Sequence, residues 1–186
     1  MAMEKVATGF RKMIGYDSMV YNILEPHVDG KVLSIGCGEG KMENLLRKRK
    51  GIQVEGVEVT KYKNSHIPVR MFDGKKIPAG NKAFDNTLFV YVLHHSNNME
   101  ELLTEAIRVS KDNIIILDHV YNNTVSKSLL GFYDYASNLW YRMPIPYNFL
   151  KMGEWRSLFN RLDVEVEEAY TTSPLNVFFK LKITNR

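Results

Sequence analysis

A chain of 186 residues, 45% apolar and 25% charged, is long enough to bury a core and too ordinary in composition for a disordered or fibrous protein. The net charge of +4 is too small to name a nucleic-acid partner, and no apolar run approaches the roughly 20 residues needed to cross a bilayer. Cys37 is the only cysteine, so no intrachain disulfide can form; with no secretory-type apolar stretch near the N-terminus, a reducing, cytoplasmic setting is expected.

Met3, Val6, Phe10, Met13 and Ile14 fall at helical spacing, and Val20, Ile23 and Leu24 extend a second helical piece that Pro26 stops. Residues 1–29 therefore read as a helical cap on a single domain spanning 1–186. Residues 31–35 (KVLSI) form a short apolar strand that runs straight into glycines. Residues 40–50 return to helix, with Met42, Leu45 and Leu46 on one face and Arg47, Lys48, Arg49 and Lys50 at its end, where cations suit the helix dipole. Further strands are expected at 53–59 (QVEGVEV), 67–72 (IPVRMF), 84–92 (FDNTLFVYV) and 113–117 (NIIIL). Between the last two, Met99, Leu102, Leu103, Ala106 and Ile107 mark an amphipathic helix.

Strands alternating with helices imply right-handed crossovers, hence an α/β, Rossmann-like, doubly wound and mostly parallel sheet of about seven strands with helices on both faces. The end of the chain breaks the rhythm. A helix around Trp155, Leu158, Phe159 and Leu162 precedes two strand-like runs, 163–171 and 175–183, joined by a turn too short for a parallel return. An antiparallel C-terminal hairpin follows.

Ligands in such sheets bind beyond the carboxyl ends of the strands, where strand order reverses. The loop Gly36-Cys37-Gly38-Glu39-Gly40 lies at such a place, and the next helix opens with unpaired N–H groups. Glu58 ends the second strand 20 residues after Gly38, where a carboxylate can accept from ribose hydroxyls; Asp73 follows the third strand, placed for an adenine amino group. The third glycine of a dinucleotide loop is replaced by Lys41, and Gly40-Lys41-Met42 fails the last position of a triphosphate loop. NAD and nucleoside triphosphates are disfavoured.

These residues resemble class I S-adenosylmethionine-dependent methyltransferases, of the small-molecule type grouped with ubiquinone-biosynthesis enzymes. Residues 31–40 are similar to the family's first motif, 54–59 to its ribose-binding strand, 72–78 to its adenine loop and 84–95 to its fourth strand and exit. The resemblance implies S-adenosylmethionine as methyl donor, S-adenosylhomocysteine as product, and in-line displacement onto an acceptor. It places Gly36, Gly38 and Gly40, with Ser34 and Cys37, along the methionine part; Glu58 on the ribose; Val59 flanking the adenine; Asp73 and Gly74 at the adenine amino group; and the backbone of Val90 and Tyr91 near the methionine amino group. Where the family commonly has an acid, this sequence has Ser34, and Glu39 is the nearby residue that would help indirectly.

His94 and His95 leave the fourth strand on the pocket side, and His95 is the candidate to take a proton from an oxygen or nitrogen acceptor. Asp118 and His119 follow the fifth strand; as metal ligands they would need Asp134 as a further partner, and no metal is assigned. Residues 124–150 exceed a bare crossover. Leu129, Phe132, Tyr133, Ala136, Leu139 and Trp140 make an apolar stripe that either packs on the core or, with Tyr135 and Tyr147, walls a substrate pocket. The fourth strand's exit, Val92-Leu93-His94-His95, lacks the proline-rich turn of enzymes that methylate base amino groups, which argues against nucleic acid. The expected acceptor is a small apolar or aromatic molecule; the other readings are an RNA methyltransferase and a degenerate cofactor-binding scaffold. Composition names no oligomeric state.

Overall fold

The computed structural model describes residues 15–138 and 148–184, with the side chains of Tyr133, Asp134 and 136–138 excepted. The helix expected over residues 3–14 and the aromatic candidates Trp140 and Tyr147 lie outside the described residues. Helix α1 (Tyr16–Leu24) buries Val20 and Leu24 and ends in a 3-10 turn, Glu25–His27, whose second residue is Pro26. Strand β1 (Lys31–Ile35) is buried on both faces, as a central parallel strand must be. Helix α2 (Lys41–Lys50) follows the glycine loop and ends at Gly51. Its basic end is tied into the fold: Lys50 Nζ donates to Glu25 O, Arg47 donates to Asn44 Oδ1 at 2.9 Å, and Arg49 lies 5.0 Å from the Tyr21 ring centroid.

Strands β2 (Gln53–Glu58) and β3 (Val69–Met71) follow. The third strand is shorter than expected because Pro68 has no N–H to give; its carbonyl still accepts from Gly56 N–H at 2.8 Å. Strand β4 (Phe84–Val90) exits through a 3-10 turn, Leu93–His95, into α3 (Met99–Val109), whose Asn98 cap accepts from Glu101 N–H at 3.1 Å. Strand β5 (Ser110–His119) starts directly at the end of α3. Then come α4 (Thr124–Asn138), α5 (Met152–Phe159), β6 (Val164–Ser173) and β7 (Asn176–Ile183).

The seven strands run in the order β3-β2-β1-β4-β5-β7-β6, parallel through β5 and antiparallel in the last two pairings. The order reverses between β1 and β4, so a crevice opens above their carboxyl ends. One face of the sheet is covered by α1 and α2 through Val20, Leu24 and Leu46, the other by α3 and α5 through Leu103, Ala106, Trp155 and Phe159. A fully buried leucine contributes about 1.5–3 kcal/mol, so these two layers hold the crevice walls rigid.

Helix α4 departs from the simpler expectation. Among its described side chains Leu130 is the buried one, packed with Tyr121 and Phe149, whereas Val125, Leu129, Phe132 and Tyr135 are exposed, Phe132 by 73%. Leu129 and Phe132 therefore do not pack into the core. The periodicity marks an apolar face correctly but cannot say which surface it meets.

Candidate active site

The crevice floor is set by the loop between β1 and α2. Gly36 has φ +70°, and a Cβ added there would stand 2.6 Å from Val92 Cγ1. The exits of β1 and β4 thus pass too close for a side chain at residue 36. Gly38 has φ +56° but would meet nothing within 4 Å. Its position faces open space, as a backbone surface facing a ligand does. Gly40 closes the turn, its N–H on Cys37 O at 2.9 Å, and precedes the first turn of α2.

Glu58 lies buried at the end of β2 and turns its carboxylate towards this loop. Oε2 accepts from Gly38 N–H at 2.8 Å, and Oε1 accepts from Val59 N–H at 2.7 Å and Thr60 N–H at 3.2 Å. An ionised carboxylate offers about four lone-pair directions, so Oε2 retains capacity for a ligand hydroxyl. Cys37 packs its thiol against Gly56, where an added Cβ would run into the sulfur. Burial, with Glu43 and Glu58 nearby, pushes the thiol well above its ordinary range, so it is a protonated packing group.

Val59 is 50% exposed and borders Gly74, whose added Cβ would lie 3.4 Å from Val59 Cγ1. Asp73 is exposed, its Oδ1 accepting from Lys75 N–H and Lys76 N–H at 2.9 and 2.8 Å; these backbone bonds hold its carboxyl below the usual range. The loop after Asp73 is fastened from outside: Glu105 accepts from Ile77 N–H at 2.9 Å, and Arg108 donates to Ile77 O and Ala79 O at 3.0 and 2.8 Å.

The opposite wall is the exit of β4. Val90 ends the strand, and Tyr91 adopts φ +55°, the left-handed region that non-glycine residues rarely occupy. Its N–H stays bonded to Leu117 O at 2.8 Å, so the chain turns sharply while still anchored to β5. Asp118, fully buried, accepts from Leu93 N–H at 2.9 Å, from His119 N–H at 2.7 Å and from His94 Nδ1 at 2.5 Å. Burial pushes this carboxyl up, but the charge and hydrogen bond of His94, with His119, outweigh it and hold it below its usual range. His119 bonds Asn176 Oδ1 through Nδ1 at 2.8 Å, and burial pushes its imidazole down.

These rings form one cluster. His94 lies 4.0 Å from His95, 4.8 Å from His119 and 5.2 Å from Phe149 between ring centroids, and Tyr91 lies 4.9 Å from His119. Phe149 is brought there by a bridge between Val120 and Leu150, and Asn148 N–H donates to His94 O at 3.3 Å. His94 is buried and has the carboxylate partner, while His95 is half-buried. Asp118 is already engaged three times, and no group of three or more His, Cys, Asp or Glu suited to a metal occurs among the described residues.

The loop glycines, Ser34 and Glu58 thus lie together. Val59, Asp73 and Gly74 form an adjoining edge, and Val90 through His95 form the facing wall. Sequence reasoning missed Gly56, Glu43, the Arg108–Glu105 fastening and the His94–Asp118 pair. An isolated glycine inside a strand signals close approach, so Gly56 was findable; the other three depend on side chains meeting across the fold. Glu39 pairs with Lys41 at 2.5 Å, not with Ser34. Ser34 Oγ donates instead to Glu43 Oε1 at 2.7 Å.

Comparison with known proteins agrees with this arrangement. The chain superposes on solved structures of low identity, which establishes the fold. One belongs to the Haloferax volcanii complex of the Trm112 methyltransferase activator with a methyltransferase partner (13% identity, 98% of this chain and 96% of that one, TM-score 0.71). Others are a protein of Pyrococcus horikoshii (15%, 94% and 92%, 0.70) and an S-adenosylmethionine-dependent methyltransferase of Aquifex aeolicus (17%, 83% and 82%, 0.62). No curated protein matches the sequence. The family model described as a methyltransferase domain matches residues 7–169, which takes in strands β1 to β5 and ends within β6. The chain therefore belongs to the methyltransferase-domain family and is an S-adenosylmethionine-dependent methyltransferase.

Proposed function

We propose that the chain methylates a small apolar or aromatic molecule seated over the ring cluster at the ends of β4 and β5. The cofactor's sulfonium supplies an activated methyl group with a good leaving group attached. Three features of the chain suit that cofactor: Gly38 faces open space, Glu58 reaches the loop from beneath, and half-exposed Val59 borders Gly74. On this reading Gly36, Gly38 and Gly40, with Ser34 and Cys37 below them, hold the methionine part. Glu58 takes the ribose, Val59 flanks the adenine, and Asp73 with Gly74 meets its amino group. The backbone of Val90 and Tyr91 meets the ammonium side.

The observation that carries the acceptor reading is the aromatic character of the facing wall, where Tyr91, His94, His95, His119 and Phe149 pack ring against ring. Beside it lies an open depression of about 570 Å³ that shares Phe149 with the cluster and is otherwise lined largely by polar and charged residues, Asn148, Glu154 and Arg161 among them. Aromatic faces favour apolar, ring-bearing guests and also stabilise a nearby cation. Fixing two reactants in line contributes about 7–11 kcal/mol, so these walls do most of the work by alignment and exclusion of water. His95 then accepts the acceptor's proton on its imidazole, steadied by the His94 ring that Asp118 anchors. The exposed face of α4 extends the apolar wall.

The test pairs binding with turnover. Methyl-labelled cofactor is incubated with the protein and, separately, with small phenols and amines, with structured RNA, and with each acceptor after His95→Ala. Label entering a small molecule, and falling with His95→Ala, supports the reading. Label entering only RNA, with salt-dependent binding, overturns it; cofactor binding without any turnover leaves a degenerate scaffold instead.

A further inference from the structure

Three carboxylates are buried among the described residues, and they are not equally supported. Glu58 receives three backbone N–H groups, and Asp118 receives two N–H groups and an imidazole. Glu43, 3% exposed in the first turn of α2, has the Ser34 hydroxyl as its described side-chain partner. No lysine, arginine or histidine pairs with it among the described residues. The ionisable groups that influence it share its sign: Glu58 lies near, and Cys37 feels both acids. Burial pushes the Glu43 carboxyl up, with Glu58 adding to the effect and Ser34 opposing it.

A negative group in low dielectric with one neutral donor either keeps its proton or waits for a positive partner. The fold gives Glu43 a direction for such a partner. Ser34 is the penultimate residue of β1, directly before the glycine loop, and Glu43 bonds to it from the helix that leaves the same loop. The pair therefore sits under Gly36–Gly40, on the methionine side of the crevice. We propose that Glu43, held by Ser34, is the buried counter-ion for the ammonium group of the bound cofactor, acting as a positioning residue beneath the loop. This rests on the cofactor lying on the glycine loop as set out above.

The test is calorimetric binding of three nucleosides to the wild-type chain, to Glu43→Gln and to Ser34→Ala. S-adenosylmethionine and S-adenosylhomocysteine both carry the ammonium; 5′-methylthioadenosine carries neither amino acid nor charge. Glu43→Gln keeps the shape and the Ser34 contact, so it is expected to bind the two charged ligands about tenfold or more weakly and methylthioadenosine within about twofold. Ser34→Ala gives the same selectivity at smaller size. Thermal melting of unliganded Glu43→Gln at or above the wild-type midpoint is also expected, because a buried charge is removed. Equal losses for all three ligands, or a lowered midpoint with unselective loss, would assign Glu43 to structure and overturn the proposal. A deficit for S-adenosylmethionine alone would move the partner to the sulfonium and also overturn it. If the wild-type chain binds none of the three, the cofactor placement itself falls, an outcome distinct from a binding chain indifferent to Glu43.

Discussion

The two walls of the crevice are built by different means. On the β1–β3 side the contact surface is mostly backbone: glycines at φ near +60°, and a carboxylate held by N–H groups of Gly38, Val59 and Thr60 with one oxygen still able to accept. On the β4–β5 side it is side chains gathered from four distant stretches, around residues 91–96, 118–121, 148–150 and 176. Backbone geometry suits the part of a ligand that never varies. Side chains can be exchanged without altering the fold, so the wall they form is where one family member can differ from another in acceptor.

If that contrast is right, the largest stability effect of a single substitution in the crevice falls on the side-chain wall. Asp118→Ala strands His94 and two backbone N–H groups in the core and is expected to cost about 3–5 kcal/mol, read by denaturant unfolding. Because the folded carboxyl titrates below its unfolded value near 3.9, its contribution is present above that pH and is lost as pH falls through the lower folded value. The difference between wild type and Asp118→Ala should therefore hold from neutrality to about pH 4 and shrink below it. A difference that vanished already near pH 6 would tie the stabilisation to an imidazole instead.

The backbone wall is tested by two glycines of similar φ and unlike surroundings. Gly36→Ala forces a Cβ into Val92 and is expected to lose about 2–3 kcal/mol of stability together with cofactor binding. Gly38→Ala meets only the conformational strain, about 1–2 kcal/mol, yet places a methyl where the ligand would lie, so affinity should fall more than stability does. Equal behaviour of the two would erase the distinction between a packing glycine and a ligand-facing one. The smallest effect belongs to α4: Phe132→Ser should change stability by no more than about 0.5 kcal/mol while slowing methylation of apolar acceptors. Unchanged turnover would remove α4 from the acceptor wall.

The alternation of strands and helices, the turn too short for a parallel return, the glycine loop and the acid 20 residues later were legible because each is a local pattern with one physical reading. Apolar periodicity fixed where α3 faces the core, as Leu102, Leu103 and Ala106 bear out. The same reasoning could not place Leu129 and Phe132, since a periodic stripe reports an apolar face but not what covers it. Nor could it see that β7 would insert between β5 and β6, which depends on which edge is free when the chain returns.

From its own order of residues the chain determined a glycine turn, an acid in register with it and a sheet to carry both, because backbone conformation and hydrogen-bond capacity are settled within a few positions. Only the tertiary structure decided that Ser34 would face Glu43, that Asp118 would hold His94, and that Phe149 would close over the imidazoles. Those contacts join residues 9, 24 and 55 positions apart, and a side chain's partner at such separation is chosen by packing across the whole sheet.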